Sequence, residues 1–352
     1  MRKLQPLFRI AIALAVAFVL CGCPGPKINK QESLHVFNWT DYIGKTTIST
    51  FEQSTGSKVF YDNYASNEDL IAKLESGGAD YDLVFPSGYA VEILKAKNLL
   101  APLDHGKIPN LKNVMSEFSS PYFDKEMGFC VPYTWSTTGI GYDSRDVSDA
   151  QANSFAVLFE PRYRGKILIL DDMRASMGMA LKSLGYSANT TSAEEIAKAR
   201  DKLEHQKSLV HVYASSNIPQ LLASGEVRLA YGWSGDILQA ASRNTNVRYA
   251  IPTEGTLMYV DYMCVPAAAR NKDLAFRFIN HILDPAVSVE IAETIHYAMT
   301  NSGARDLAKG DIRTLWSILD RPQAMSNFEF VRNVGPNLQL YDQAWEQIKG
   351  SK

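Results

Sequence analysis

Aromatic, hydroxyl and carboxylate side chains recur in this chain where short apolar runs end. Trp39 and Tyr42, Ser87 and Tyr89, Asp172, Ser215, Trp233, and Tyr259 with Asp261 all lie at or near such ends. In open α/β sheets ligands sit outside the carboxyl ends of the strands, so tips of this kind can share one cleft. Aromatic faces attract cationic groups by roughly 0.5 to 2 kcal/mol each and cover methylene chains, while carboxylates pair with ammonium ends. The guest that suits such a cleft is an organic cation with an aliphatic body. Singly, each residue has an ordinary structural use: Trp39 and Trp233 as core aromatics, Ser87 and Asp172 as helix caps, Asp261 as an acceptor for backbone amides. The functional reading rests on their recurrence.

The elements that must position these tips read as alternating strands and helices. The stretch Tyr81-Asp-Leu-Val-Phe-Pro-Ser-Gly-Tyr89 shows the device, since an apolar strand at residues 83–85 stops at Pro86 and delivers Ser87 and Tyr89. Before it, a strand at 34–37, a helical pattern at 46–55 stopped by Gly56, and a strand at 58–63 make a βαβ unit; Ser66 then caps a helix leading to the Tyr81 strand. From Phe129 the pattern changes. Residues 129–135 and 138–142 read as two strand segments in close succession, where the chain leaves one lobe for another. Further strands at 166–170, 210–213, 227–231, 248–251 and 258–265 alternate with helices, without internal repeat or long linker.

Several classes of function are disfavoured. With 36 Lys and Arg against 38 Asp and Glu, and no basic patch, nothing points to nucleic acid. The run Gly232-Trp-Ser-Gly-Asp236 lacks the final glycine of a nucleophile elbow, and there is neither a His-Glu-x-x-His zinc site nor a phosphate-binding loop. The six histidines are scattered. The expectation is a protein that is not an enzyme and uses no metal or cofactor. Cys130 and Cys264 lie in apolar, strand-like contexts and read better as buried free thiols than as a disulfide, although an exported compartment would permit one.

The N-terminus reads as an export signal over residues 1–22, with Arg2, Lys3 and Arg9 ahead of an apolar core at 10–20. That core is shorter than the roughly 20 apolar residues of a membrane-spanning helix. It ends in Leu20-Cys-Gly-Cys23, which resembles the lipobox of bacterial lipoproteins. Cys23 is then the acylated first mature residue, residues 23–32 form a polar tether, and the body stays outside the cytoplasm at a membrane surface.

Five segments in order, Asn38-Trp-Thr-Asp-Tyr42, Tyr81 to Tyr89, Asp171-Asp-Met-Arg174, Gly232-Trp-Ser-Gly235 and Ala292-Glu-Thr-Ile-His-Tyr297, resemble the spermidine/putrescine-binding proteins of bacterial ABC transporters. The resemblance spans nearly the whole mature chain. It implies an α/β fold of the two-lobed periplasmic binding protein type (type II), with the ligand cleft between lobes that close on putrescine or spermidine. An N-terminal lobe would comprise 33–137 and 260–305, and a C-terminal lobe 138–259 and 306–352, with the hinge in the crossings near Tyr133 to Thr138 and Thr256 to Asp261. An ABC permease and its ATPase are the implied partners.

Carried over by position, the resemblance assigns Trp39, Thr40, Asp41, Tyr42, Ser87 and Tyr89 to the ligand from one lobe, Asp172, Ser215 and Trp233 from the other, and Tyr259, Asp261 and Tyr297 from the returning segments. Asp261 is the first candidate to meet an ammonium group. Tyr259 stands where spermidine binders of the family often carry Trp. Ala175 replaces an acid of the family pattern and Val331 a glutamine, and loss of these polar partners favours putrescine binding at least as tightly as spermidine. A ferric-ion or thiamine binder of the same fold, or a surface receptor that transports nothing, are the alternatives. Ferric binders favour clustered tyrosines, whereas here tyrosines are spread among tryptophans and aspartates.

Overall fold

The computed structural model describes residues 32–77, 80–318 and 327–350; the expected export signal, Cys23 and nearly all of the tether lie outside them. The first elements are β1 (Ser33–Trp39), α1 (Thr47–Thr55), β2 (Lys58–Tyr64), α2 (Asn67–Glu75), β3 (Leu83–Val84) and α3 (Gly88–Ala96). After a loop come β4 (Cys130–Asp143), α4 (Asp149–Ala152), β5 (Ile167–Leu170), α5 (Met173–Ser183), α6 (Ala193–Lys207), β6 (Val210–Ala214), α7 (Ile218–Ser224), β7 (Leu229–Trp233), α8 (Ser234–Arg243) and β8 (Val247–Ala250). The chain continues through β9 (Thr256–Cys264), α9 (Lys272–Ile282), α10 (Pro285–Ile295), β10 (Ala298–Met299), α11 (Ser302–Leu307), α12 (Gly310–Thr314), β11 (Phe328–Phe330) and α13 (Leu338–Gly350).

The strands join in the order β2-β1-β3-β9-β4-β7-β5-β6, with β8 and β10 added to β4 and β11 to β9. β1 runs parallel to both β2 and β3, as expected of βαβ crossovers. Local signals set the ends. Gly56 closes α1 at φ +70°, a left-handed conformation that glycine adopts without a Cβ penalty, and the Ser66 side chain accepts the Asp69 N–H at the start of α2. β5 is Ile-Leu-Ile-Leu with every side chain buried, which is why it reads as a continuous apolar run: it lies between β6 and β7 and is covered on both faces.

β4 departs from the two segments expected. It is one strand of 14 residues, all buried, that changes partners along its length. Its first part, to Thr137, pairs antiparallel with β9, and from Thr138 it pairs with β7 and β8. The polar run Ser136-Thr137-Thr138 suggests a break only until its partners are known. Thr137 Oγ1 lies 2.8 Å from the Tyr249 hydroxyl, and Thr138 Oγ1 accepts from Tyr231 at 2.9 Å, so these hydroxyls are satisfied inside the protein.

The cysteines also depart from expectation, because Cys130 and Cys264 form a disulfide rather than two thiols. The register of β4 on β9 sets them directly opposite each other with Cα atoms 4.5 Å apart, a separation a disulfide can span.

Buried apolar side chains fall into two cores. The first gathers Leu34, Val36, Phe85, Trp135, Met263, Phe278 and Trp316; the second gathers Ile140, Leu168, Leu229, Tyr231, Leu257 and Tyr341. β4 and β9 contribute to both. Ala308, Leu315 and Trp316 pack in the first core. Tyr89 lies in the second core although Val91 and Leu94 of its own helix lie in the first, so the start of α3 reaches from one core to the other.

Candidate functional site

The candidate site is organised from Asp261 on β9, between Tyr259 of the second core and Tyr262 of the first. The end of β3 abuts β9 there, through an isolated bridge between Ser87 and Asp261 and a bond from the Tyr262 N–H to the Pro86 carbonyl. Ser87 Oγ donates to Asp261 Oδ1 at 2.6 Å, and the Tyr42 hydroxyl donates to Asp261 Oδ2 at 2.8 Å. Thr134 Oγ1 of β4 lies 2.6 Å from the same Tyr42 hydroxyl. Ser87 occupies the N-cap position of α3 but makes no side-chain cap bond; its hydroxyl serves Asp261 instead. Burial pushes the Asp261 carboxyl up to about 6, against the downward pull of Ser87 and Tyr42.

A second carboxylate joins this end. Asp236 sits in the first turn of α8, and burial pushes it up to about 7, opposed by the hydroxyl of Tyr297. Tyr297 connects the two acids: it feels the charge of both Asp236 and Asp261, and its ring meets Tyr42 edge-on at 5.4 Å. The close approach depends on Gly235, where a Cβ would stand 2.6 Å from the Tyr297 ring and 2.7 Å from the His296 carbonyl oxygen.

The other end is built on Asp172, the N-cap of α5. Its Oδ1 accepts the Ala175 N–H at 2.8 Å, so the ordinary cap role is filled. Burial raises this carboxyl to about 6, the cap bond from Ala175 pulls it down, and the charge of Glu68 adds to the rise. Tyr89 donates to Glu68 Oε1 at 3.0 Å. Tyr259 packs edge-on against Trp233 at 4.7 Å, and its buried hydroxyl has no hydrogen-bond partner among the described residues. A buried orphan hydroxyl facing a carboxylate is what a ligand donor or acceptor would complete.

Trp39 lines the first-core side, its indole N–H donating to the Phe85 carbonyl at 2.9 Å and its ring resting on Tyr64. Thr40 and Asp41, in the exposed turn after β1, and Ser215, after β6, are not joined by any described contact to Asp261 or Asp172. Asp41 has φ +53°, and Ser215 Oγ donates to the Asp171 carbonyl. Cys23 lies outside the described residues. Of the two positions that depart from the family pattern, Ala175 is fully buried in the first turn of α5 and Val331 packs in the second core. Sequence reasoning passed over Asp236, Glu68, Thr134 and Arg174. The signal for Asp236 was present in Gly232-Trp-Ser-Gly-Asp236, a strand end followed by an acid one helical turn on.

Three half-buried carboxylates, aromatic walls and hydroxyls committed to holding an acid in place suit noncovalent capture of a cation. The described residues hold no group of three His, Cys, Asp or Glu side chains able to bind a metal. Fold and cleft together define a two-lobed solute-binding protein of type II.

The sequence profile of bacterial extracellular solute-binding proteins matches residues 46–314, and the chain belongs to that family. It is 33% identical over 341 residues to the spermidine/putrescine-binding periplasmic protein of Salmonella typhimurium, covering 96% of this chain and 98% of that protein. Among solved structures, a putative spermidine/putrescine ABC transporter protein from Listeria monocytogenes superposes with a TM-score of 0.88 at 35% identity, over 92% of this chain and 100% of that one. The Tp0655 (TpPotD) lipoprotein of Treponema pallidum gives 0.80 at 31% identity, over 90% and 99%.

Proposed function

We propose that this chain is an extracytoplasmic lipoprotein that captures putrescine or spermidine by closure of its two lobes and hands it to an ABC permease driven by a separate ATPase, performing no chemistry on it. The observation that carries this reading is the pairing of Asp261 with Asp236 around Tyr297 at one end of the cleft and Asp172 beside the orphan Tyr259 hydroxyl at the other. Empty, these acids resist ionisation because burial denies them water. An ammonium group restores the lost solvation with opposite charge, so binding energy is drawn from the strain of the empty site. Trp39, Trp233 and Tyr259 cover the methylene chain between the charges.

Closure is assigned to β4 and β9, the strands shared by both cores, around the change of partner at Thr137 and Thr138. The first lobe is assigned residues 33–137 and 260–316, and the second the remainder of the described chain. The lipobox-like Leu20-Cys-Gly-Cys23 and the relative named a lipoprotein support acylation at Cys23. Loss of membrane association and of acyl mass in Cys23→Ser tests the anchor.

Native mass spectrometry of protein purified without denaturation tests the cargo. A bound mass equal to putrescine or spermidine supports the reading. Ligand-free protein that takes up neither amine on titration, but binds thiamine or ferric ion, would replace it with one of the other ligands of this fold.

A further inference from the structure

Consecutive side chains of a strand ordinarily point to opposite faces, yet Tyr133 and Thr134 of β4 both hold Tyr42. The Tyr133 hydroxyl donates to the Tyr42 carbonyl at 2.8 Å and its ring meets the Tyr42 ring edge-on at 5.7 Å, while Thr134 Oγ1 lies 2.6 Å from the Tyr42 hydroxyl. A register shift permits this. Before it, Cys130, Val131 and Pro132 stand opposite Cys264, Met263 and Tyr262; after it, Thr134 stands opposite Asp261, so the ladder passes over Tyr133 as the extra residue of a β-bulge. Pro132, which has no N–H to give to a ladder, sits at the break. Thr300 takes up the carbonyls there, its N–H donating to that of Tyr133 at 3.0 Å and its hydroxyl to that of Pro132 at 2.8 Å.

A one-residue bulge is erased when the strand on one side of it slides by one residue, and such a slip turns the sliding side chains to the other face. The part of β4 beyond Thr137 is anchored by β7 and β8. The part before the bulge has three opposed pairs on β9. Sliding it would set Tyr133 opposite Tyr262 and turn it away from Tyr42. The disulfide joins the first of those three pairs, Cys130 and Cys264, so the slip is closed while the bond is intact.

Building on the reading of Asp261 as a carboxylate that meets the cargo, we propose that the Cys130–Cys264 disulfide is a positioning element of the binding site: it keeps the extra residue in β4 that sets Tyr42 against Asp261. The line of contacts is short. Cys264 and Asp261 lie on the same strand, and the Tyr42 hydroxyl, steadied by Thr134, donates to Asp261 Oδ2 at 2.8 Å. Both cysteines are buried and act through the strands, without touching the cargo.

Calorimetric titration of putrescine into the ligand-stripped mature chain tests this in four forms: wild type, Cys130→Ala/Cys264→Ala, Tyr42→Phe, and the two combined. Loss of the disulfide is expected to weaken binding by about tenfold when Tyr42 is present, and by less than about twofold where Tyr42→Phe has already removed the hydroxyl. Equal losses in the two backgrounds overturn the assignment, as does wild-type affinity in a folded cysteine-free protein whose Tm alone has fallen. Cys130→Ala/Cys264→Val refills part of the volume the sulfurs leave and repeats the test where the double alanine fails to fold. Failure of both to fold would make the bridge a folding requirement and overturn its role in positioning.

The carboxyl carbon resonance of Asp261 in ligand-free protein reads the same positioning without cargo. The phenols of Tyr42, Tyr64, Tyr133, Tyr262 and Tyr297 feel its charge, each raised first by burial, and Asp236 lies beyond Tyr297. Tyr42 pulls the Asp261 carboxyl down, so loss of the disulfide is expected to carry its titration above about 6, and an unchanged midpoint overturns the assignment. A wild type that binds neither amine overturns the polyamine reading, while this titration still decides whether the disulfide sets Tyr42 on Asp261.

Discussion

The Asp261 end and the Asp172 end of the cleft use the same side-chain type to different effect. At the first, every described polar neighbour holds the acid: Ser87 and Tyr42 bond its two oxygens, Thr134 supports Tyr42, and Tyr297 links it to Asp236. At the second, Asp172 spends one oxygen on its own helix and lies near a buried cation, and the hydroxyl opposite it has no partner. In the proposed polyamine reading, the doubly acidic end holds one ammonium group and the end with unmet hydrogen-bonding capacity meets the other. The general lesson is that a carboxylate's value to a ligand depends on what has already been set against it.

Removing charge from the strong end should cost most. Asp261→Asn is expected to weaken diamine binding by about 3 to 5 kcal/mol, as for a buried ion pair broken on one side. Wild-type affinity in this variant, measured by calorimetry, would remove Asp261 from the cargo's path.

Acid should erode both ends together. The raised carboxyls, to about 6 for Asp261 and Asp172 and about 7 for Asp236, take up protons in the empty protein as pH falls from 8 to 5. Binding must then displace those protons, so affinity should fall by about 100-fold or more over that range, with proton release visible as a buffer-dependent heat. The same shifts bear on stability with a definite sign. Between about pH 4 and these raised values the folded, empty protein binds more protons than the unfolded chain, so its stability falls as pH rises through the window. A bound cation favours the ionised acids and reverses that trend. The ligand-induced rise in Tm should therefore be larger at pH 8 than at pH 5, and an equal rise at both would show that these acids do not meet the cargo.

The aromatic wall should matter less. Trp233→Ala is expected to cost about 1 to 2 kcal/mol in affinity through lost contact with the methylene chain and with Tyr259. An unchanged tryptophan emission spectrum at ligand saturation would place Trp233 and Trp39 away from it. Asp172→Asn sharpens the comparison at the weak end. Asparagine also caps helices, so the bond to Ala175 survives and only charge is lost; the expected cost is about 1 kcal/mol, well below that of Asp261→Asn. Equal losses at the two positions would mean that the ends are equivalent.

Strand tips were legible in the sequence because a buried parallel strand must be apolar throughout and must stop at its exit, as the run ending at Pro86 does. Ser87 and Asp261 could thus be placed in one cleft, and a 2.6 Å hydrogen bond joins them. What escaped reading was decided by long-range register. The disulfide depends on how β4 lies on β9, including a register shift between Pro132 and Thr134, and its cysteines are 134 residues apart. The unbroken course of β4 through Ser136 and Thr137 depends on hydroxyl partners from β8 and α8. Asp236 lies in the first turn of α8, where an acid suits the helix dipole, and only tertiary packing sets it against Tyr297.

The central claim is that the lobes enclose an aliphatic dication between unlike acidic ends. Calorimetric titration of putrescine at pH 8 into ligand-stripped wild type and Asp261→Asn, side by side, tests it most directly. The account predicts saturable binding of one putrescine per chain in the wild type and a loss of about 3 to 5 kcal/mol in the folded variant. No binding to the wild type, or the same affinity in both, would contradict it.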